Sequence, residues 1–202
     1  MFLIGWRLHV KQSQTLPDGP YIIVANHASY ADIFVTPALF HKLPHIFLGK
    51  SEILTYPLVK HYFRKYHVPV FRDNKLKAAK SLIHARKKLE QGWTLIIFPE
   101  GGIPDNVRPT MIPFKDGAFR FACKNNRPII PCFITMEDSK EHIDGDGYPV
   151  QEYTIHIMKP IYKDETLPFK EAVQKMKNQN FEMCKEVYER VYNTKLTYDD
   201  GV

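Results

Sequence analysis

Short apolar runs alternate with longer amphipathic stretches along most of this chain. Six runs of four to seven residues, rich in Ile, Val, Leu and Phe, are typical of buried strands. These runs cover residues 21–25, 45–48, 68–71, 94–98, 129–135 and 153–158. The segments between and after them have the apolar spacing of helices, over residues 33–40, 57–66, 75–90, 116–125 and 169–192.

This alternation predicts an α/β sandwich, with a mixed, partly parallel sheet flanked by helices. A chain of 202 residues is long enough for one domain with a substantial core. We therefore treat residues 1–202 as a single domain. Residues 1–20, with their short apolar start, are interpreted as a membrane-proximal lead-in. No run of the sequence approaches the 18 or so consecutive apolar residues of a transmembrane helix.

Local signals add detail to three segments. Asp73 or Asn74 is expected to cap the helix over 75–90, and Gly92 follows that helix where a terminating glycine is common. The residues expected to face inward from this helix are Leu76, Ala79, Ile83 and Leu89. Residues 139–149 are predicted to form a polar loop with a turn at 144–147. The long helix carries an apolar stripe that predicts core packing: Phe169, Val173, Met176, Cys184, Val187 and Val191.

Composition excludes several protein classes. The apolar fraction of 44% argues against a disordered chain. The three cysteines, Cys123, Cys132 and Cys184, lack Cys-x2-Cys spacing. This scattered, odd set favours reduced thiols over a disulfide framework or a zinc site.

The positive charge is concentrated in one region. The net charge is +6, and Lys and Arg residues are concentrated between Lys50 and Lys88, where only Glu52 and Asp73 are acidic. A solvated helix face explains this equally well as an anionic partner does. Aromatic residues interleave with the cations, which suits contact with a membrane surface at headgroup level: Tyr56, Tyr62, Phe63 and Tyr66. No sequence signature of nucleic-acid binding accompanies the charge, so we expect no nucleic-acid partner.

Two polar motifs follow predicted strands. His27 comes directly after the strand over 21–25, and Asp32 stands five residues later. The aspartate can accept a hydrogen bond from one ring nitrogen and leave the other free to take a proton from a hydroxyl. A purely local alternative is a capping box over 29–32 that begins the next helix. The second motif, residues 98–102, places Glu100 beside Gly101 and Gly102, whose backbone can approach an anion closely.

Four blocks in order resemble the glycerolipid acyltransferases, the family that contains 1-acylglycerol-3-phosphate acyltransferases. Residues 26–32 resemble its Asn-His-x4-Asp signature, 68–74 its second block with Arg72, 98–101 its third, and 127–132 its fourth. The resemblance covers nearly the whole chain. Two departures concern the second and third blocks, where Tyr66 replaces a usual glycine and Gly102-Ile103-Pro104 replaces Thr-Arg-Ser.

The resemblance implies a glycerol-3-phosphate acyltransferase-like fold and an O-acyltransferase on the cytoplasmic face of a membrane, held peripherally or monotopically. The enzyme would move a fatty acyl chain from acyl-CoA or acyl carrier protein to lysophosphatidate, without a metal or organic cofactor. His27 would be the base and Asp32 its orienting carboxylate. The residues expected to contact substrate are Arg72, Glu100, Gly101, Gly102 and Lys115.

Two alternatives stay open at this point. The altered residues after Gly101 leave room for another lysolipid acceptor, either a lysophospholipid or a lyso-amino-acid lipid. The basic region is also compatible with a non-catalytic module that binds anionic lipid.

Overall fold

A computed structural model describes residues 2–3, 6–40, 44–103 and 111–196. Their strands are β1 (Phe2–Leu3), β2 (Trp6–Gln12), β3 (Ile22–Ala25), β4 (His45–Lys50), β5 (Val68–Val70), β6 (Thr94–Ile97), β7 (Ile129–Ile143) and β8 (Pro149–Ile157). Their α-helices are α1 (Asp32–Leu39), α2 (Pro57–Tyr66), α3 (Lys75–Glu90), α4 (Gly117–Asn125) and α5 (Phe169–Tyr192). A short 3-10 helix, Ser51–Thr55, joins β4 to α2.

The strands of the described residues form one sheet in the order β1-β2-β8-β7-β3-β6-β4-β5. The five strands from β7 to β5 in this order run parallel to one another. Antiparallel pairs join β7 to β8 and β1 to β2, while β2 pairs with β8 in parallel. The predicted mixed, partly parallel sheet is confirmed.

Helices cover both faces of this sheet. Alternate residues of β3 point to opposite sides, so that Ile22 and Val24 join one core cluster while Ile23 and Ala25 join the other. The first cluster packs against α3, α4 and α5, and the second packs against α1 and α2. Burial on both faces explains why these strands are continuously apolar rather than alternating.

The predicted first and last residues of three helices are confirmed. The helices over 57–66, 75–90 and 169–192 begin and end where the sequence pattern placed them. Asn74 is the cap of α3, since its Oδ1 accepts from the amide of Lys77 at 2.9 Å. Gly92, with a φ of +87°, follows the last turn of α3.

The inward face of α3 was predicted wrongly. Leu76, Ala79 and Ile83 are exposed, and only Leu89 of the predicted set is buried. The helix instead buries Ser81, Ala85 and Leu89, which are spaced four residues apart. Ser81 turns inward because its hydroxyl donates to the carbonyl of Pro69 on β5 at 2.7 Å. A polar contact therefore overrides the apolar pattern.

The segment over 139–149 also differs from the prediction. β7 continues to Ile143, and only residues 144–148 form the turn of a long hairpin with β8. The polar residues there remain in strand because they bond across it, as when Ser139 Oγ donates to Glu152 Oε1 at 2.6 Å. The predicted turn is confirmed, since Asp144 Oδ1 accepts from the amides of Asp146 and Tyr148.

Sequence patterns predicted no strand before residue 21, yet β2 occupies residues 6–12 and pairs with β8.

Cys123, Cys132 and Cys184 are free and buried. None of the helices in the described ranges is long and apolar enough to cross a membrane.

One side chain joins the end of β3 to its neighbour. The fully buried amide of Asn26 donates to the carbonyl of Ile134 at 3.0 Å and accepts from its backbone N–H at 2.6 Å. Asn26 thus extends the pairing of β3 with β7 by one more residue. It fixes the start of the loop that carries His27.

We predict that Asn26→Ala lowers the free energy of unfolding by about 2 to 4 kcal/mol, because it leaves two buried backbone groups of Ile134 without partners. Urea unfolding measures this loss. Asn125→Ala is the matched control, since Asn125 bonds a single carbonyl from a partly exposed position, and should cost about 1 kcal/mol. Equal losses in the two variants would contradict the role of Asn26.

Candidate active site

The predicted site residues follow the carboxyl ends of three parallel strands. His27 follows β3, Arg72 follows β5, and Glu100 follows β6. These strands end at one edge of the sheet, as the pairings Val24 with Ile97 and Lys50 with Val70 show. Ligands of open α/β sheets usually bind at this edge.

His27 and Asp32 form the predicted pair. Nδ1 of His27 lies 2.7 Å from Oδ2 of Asp32, the first residue of α1. Asp32 is fully buried, whereas the imidazole retains 17% of its exposure. A carboxylate at Nδ1 favours the neutral tautomer with the proton on that nitrogen, and Nε2 is then an acceptor. Nε2 makes no hydrogen bond to any described residue.

The same carboxylate also organises the local loop. Oδ2 of Asp32 accepts from the backbone amides of Ala28 at 2.8 Å and Ser29 at 3.0 Å. Ser29 Oγ in turn accepts from the amide of Ala31 at 2.9 Å. The capping-box alternative is not formed, since Ala31 precedes α1 and no side-chain hydrogen bond caps the helix. Asp32 holds the loop and the ring together.

Phe98 packs against one face of the His27 imidazole. Its ring stacks on that of His27, with centroids 4.3 Å apart and planes 14° from parallel. Phe47 lies behind Phe98 at 5.9 Å. This contact was not predicted from the sequence. The signal available was the period of two along the strand over 94–98, which places Phe98 on the same face as Ile96.

Glu100 lies beneath the His27 loop. It is 1% exposed, and its Oε2 accepts from the backbone N–H of His27 at 3.0 Å. Burial raises the pKa of Glu100 to about 8; the amides of His27 and Ile112 oppose this, and the charge of Asp32 adds to it. The side chain is thus mostly protonated at neutral pH. The sequence suggested a substrate contact, whereas these contacts support the loop from within.

Arg72 and Lys115 meet over Gly101. The backbone amide of Lys115 donates to the carbonyl of Pro99 at 2.9 Å, which places Lys115 beside the turn after β6. Gly101 has a φ of +78°, and a Cβ added there would lie 2.9 Å from Lys115 Nζ and 3.0 Å from Arg72 Nη1. Two cations therefore converge where a side chain would block them, and only glycine leaves this space open.

His27 and Arg72 line one hollow of about 290 Å³, which we call the His27 hollow. Gly101 and Gly102 belong to its rim, and its apolar wall includes Ile33, Phe47 and Phe63. Gly102 itself faces open space. Of the predicted catalytic and substrate-binding residues, His27, Arg72, Gly101 and Gly102 line this hollow. Lys115 lines the groove beside it, while Asp32 and Glu100 are buried.

The adjoining groove, of about 630 Å³, shares Arg72 and Phe98 with the His27 hollow. We call it the α4 groove, because α4 forms one wall with Arg120 and Lys124. Neither cation was among the residues predicted from the sequence. Their spacing of four residues on a predicted helix was the signal that places them on one face. Among the described residues, no cluster of His, Cys, Asp and Glu could hold a metal ion.

Comparison with known proteins gives the family of this fold and site. The family described as Acyltransferase matches residues 7–135. The chain belongs to this family. It is 27% identical over 197 residues to the 1-acyl-sn-glycerol-3-phosphate acyltransferase of Saccharomyces cerevisiae, covering 92% of this chain and 62% of the yeast protein. It is 33% identical over 117 residues to a protein of the same name from Chlamydomonas reinhardtii, covering 57% and 34%.

A solved acyltransferase shares the fold. The crystal structure of the 1-acyl-sn-glycerophosphate (LPA) acyltransferase PlsC from Thermotoga maritima superposes with a TM-score of 0.55 and 27% identity. The match covers 88% of this chain and 72% of that protein. The chain spans about 62% of the length of its yeast relative and 34% of the algal one.

We predict that Glu100→Gln removes a pH dependence of stability. Folded Glu100 keeps its proton up to a pH of about 8, whereas an unfolded glutamate loses it near 4.5. At Glu100 the folded state therefore holds more protons between these values, so the contribution of this group to the free energy of unfolding falls with rising pH, by at most about 1.4 kcal/mol per unit. Burial lowers the pKa of His67 and His156 to about 4, which acts in the opposite direction, so the contribution of Glu100 is the difference between wild type and variant. Urea unfolding at about pH 5, 6.5 and 8 measures this fall.

The glutamine keeps a neutral oxygen for the His27 amide, so the free energy of unfolding of the variant, relative to that of wild type, should rise between about pH 5 and 8. Glu141→Gln, an exposed glutamate on the hairpin, is the control and should keep the wild-type slope. The same slope in wild type and Glu100→Gln would show that Glu100 titrates normally.

Proposed function

We propose that this chain transfers a fatty acyl group from a thioester to the free hydroxyl of lysophosphatidate, giving phosphatidate. One observation carries the proposal. The His27–Asp32 pair, with its 2.7 Å contact, lies in a hollow whose rim also holds Arg72 over Gly101. A base for a hydroxyl and a pair of cations for a phosphate are thus neighbours. Family membership and the names of the relatives support the same reaction.

The reaction needs no enzyme nucleophile. Nε2 of His27 takes the proton of the acceptor hydroxyl as its oxygen adds to the thioester carbonyl. The C–S bond then breaks, and the imidazolium returns the proton to the departing thiolate. Asp32 stabilises the imidazolium between these steps, as the carboxylate of a catalytic triad does. The thioester already provides a good leaving group, so we propose that no cofactor takes part.

Arg72 and Lys115 are proposed to bind the acceptor phosphate. A planar guanidinium offers a fork of donors that suits phosphate oxygens, and an ammonium adds a second charge. Neither side chain forms an ion pair with another described residue, so both charges remain available. Glu100 is proposed to position the His27 loop rather than to bind the acceptor, because its carboxyl group is buried under that loop.

An anionic membrane surface is the proposed source of the acceptor. Several aromatic side chains on α1, on α2 or just before these helices are exposed: Tyr30, Phe34, Tyr56, Tyr62 and Tyr66. Phe63, which the sequence also suggested for membrane contact, is instead buried. Tyr30 and Tyr56 line the hollow, and α2 adds Arg64 and Lys65 in its last turn. Aromatic rings and cations together suit the headgroup layer of a bilayer. We propose that this face lies on the cytoplasmic leaflet.

We predict that His27→Ala lowers kcat for lysophosphatidate acylation by about 100- to 10,000-fold, the usual contribution of a general base. The measurement is acyl transfer from a long-chain acyl thioester, with urea unfolding to show that the variant folds. His84→Ala removes an exposed histidine of α3 and should leave the rate unchanged. Wild-type turnover by His27→Ala would exclude His27 as the base, and wild-type protein that binds lipid without turnover would favour the binding module.

We predict that Gly101→Ala raises KM for lysophosphatidate about tenfold, because its Cβ displaces the tips of Lys115 and Arg72. Gly92→Ala imposes a similar backbone strain, at a φ of +87°, where nothing lies within 4 Å. It should lose stability without a change in KM. Equal KM values in the two variants, or efficient acylation of an uncharged acceptor, would contradict the phosphate site.

We predict that Arg64→Gln/Lys65→Gln weakens binding to vesicles containing phosphatidylglycerol by about thirtyfold, since each cation near an anionic surface contributes about 1 kcal/mol. Sedimentation with vesicles measures the partition. Lys140→Gln/Lys159→Gln removes two exposed cations elsewhere and is the control. Unchanged binding in the first variant, or the same loss in both, would show that α2 does not face the membrane.

A further inference from the structure

The α4 groove holds more positive charge than the acceptor uses. Four cations line it, namely Arg72, Lys115, Arg120 and Lys124. No ion pair joins any of them to another described residue. A phosphomonoester carries at most two negative charges, which Arg72 and Lys115 match at Gly101. Arg120 and Lys124 therefore remain for a further anion.

Arg120 and Lys124 project from one face of α4 into a concave surface. They are four residues apart on the helix and both line the groove. Asp116, whose pKa is lowered chiefly by a hydrogen bond from Lys177 and also by the charge of Arg120, has an oxygen 2.7 Å from Lys177 Nζ. Asp116 thus forms its ion pair with Lys177. Its charge also acts on Arg120, but no carboxylate of the described residues lies within ion-pair distance of Arg120 or Lys124.

An aromatic ring stands beside these cations. The guanidinium of Arg120 lies 5.7 Å from the centre of the Phe169 ring, at the start of α5. Phe169, which the apolar stripe of α5 wrongly placed in the core, instead lines the groove and keeps 41% of its exposure. This contact fixes the direction of Arg120. It also offers a planar, half-exposed surface on which a flat aromatic ligand can stack.

The groove reaches the reacting centre. Leu48, Gly49, Arg72 and Phe98 line both the groove and the His27 hollow. Phe98 is the ring that stacks on His27. A ligand whose anionic, aromatic end occupies the α4 wall can therefore extend along this shared rim and present its other end to the base.

We propose that Arg120, Lys124 and Phe169 form a subsite for the nucleotide end of a coenzyme A thioester, the two cations binding its phosphates and Phe169 its adenine. The inference rests on the proposed function and goes further, because it selects coenzyme A as the acyl carrier. An acidic carrier protein would also be attracted by cations. The concave position of this pair, next to an exposed ring, fits a small nucleotide better than the surface of a folded protein.

The test compares donors that share a thioester and differ in the nucleotide. Acyl-coenzyme A, acyl-pantetheine and acyl carrier protein carrying the same chain are each assayed with wild type and with Arg120→Gln/Lys124→Gln. We expect the variant to raise KM for acyl-coenzyme A about tenfold and to leave KM for acyl-pantetheine and lysophosphatidate unchanged. Lys140→Gln/Lys159→Gln removes the same number of charges from exposed positions outside the groove and should match wild type.

Calorimetric titration with coenzyme A, beside pantetheine, gives a readout independent of turnover. The variant should bind coenzyme A about tenfold more weakly than wild type does. Phe169→Leu should also weaken coenzyme A binding, since it keeps an apolar side chain and removes the stacking surface.

Three results would overturn the subsite. They are an equal rise in KM for acyl-coenzyme A and acyl-pantetheine, a rise for the carrier-protein donor alone, and a rise for lysophosphatidate alone, which would assign the second anion to the acceptor. If all variants transfer the acyl group from acyl-pantetheine, the proposed acyltransferase activity stands even when the subsite is overturned. Absence of turnover with every donor would contradict the proposed function itself. The subsite would still be tested by calorimetry, and equal binding of coenzyme A by variant and wild type would overturn it.

Discussion

The site depends on one buried carboxylate oxygen. Oδ2 of Asp32 binds the ring of His27 and the amides of Ala28 and Ser29, so a single atom fixes the imidazole, the loop after β3 and the start of α1. Burying a carboxylate is costly unless donors surround it. These three contacts offset part of that cost, whereas Oδ1 has no hydrogen-bond partner among the described residues. Phe98 and Glu100 complete the support, one stacked on the ring and the other bonded to the His27 amide.

Much of this arrangement could be predicted from the sequence because the sheet is parallel at its centre. Apolar runs revealed β3, β5 and β6, and parallel neighbours end at one edge. His27, Arg72 and Gly101 were therefore expected at one edge of the sheet once these strands were recognised. How close they lie depends on the strand order β3-β6-β4-β5, which the apolar runs do not reveal. Contacts between residues that are close in the sequence could also be predicted. Asn74 caps α3, and the spacing of His27 and Asp32 produces the pair that it predicted.

What the sequence could not show depends on contacts between distant segments. Ser81 faces inward on α3 because the Pro69 carbonyl needs a donor, and β7 continues through polar residues because Glu152 bonds Ser139 across the hairpin. Glu100 looked like a substrate ligand, and its burial beneath the His27 loop follows from packing alone. Arg120 and Phe169 belong to different helices, and their contact on the groove is a product of the fold.

The central claim is that Asp32 fixes His27 with its Nε2 free to accept a proton. Nitrogen-15 NMR of the ring of His27, recorded while the imidazole is neutral and assigned with a His27→Gln sample, tests it most directly. We expect a protonated Nδ1 and an unprotonated Nε2. A proton on Nε2 instead would contradict it, because that nitrogen could not then take the proton of an acceptor hydroxyl.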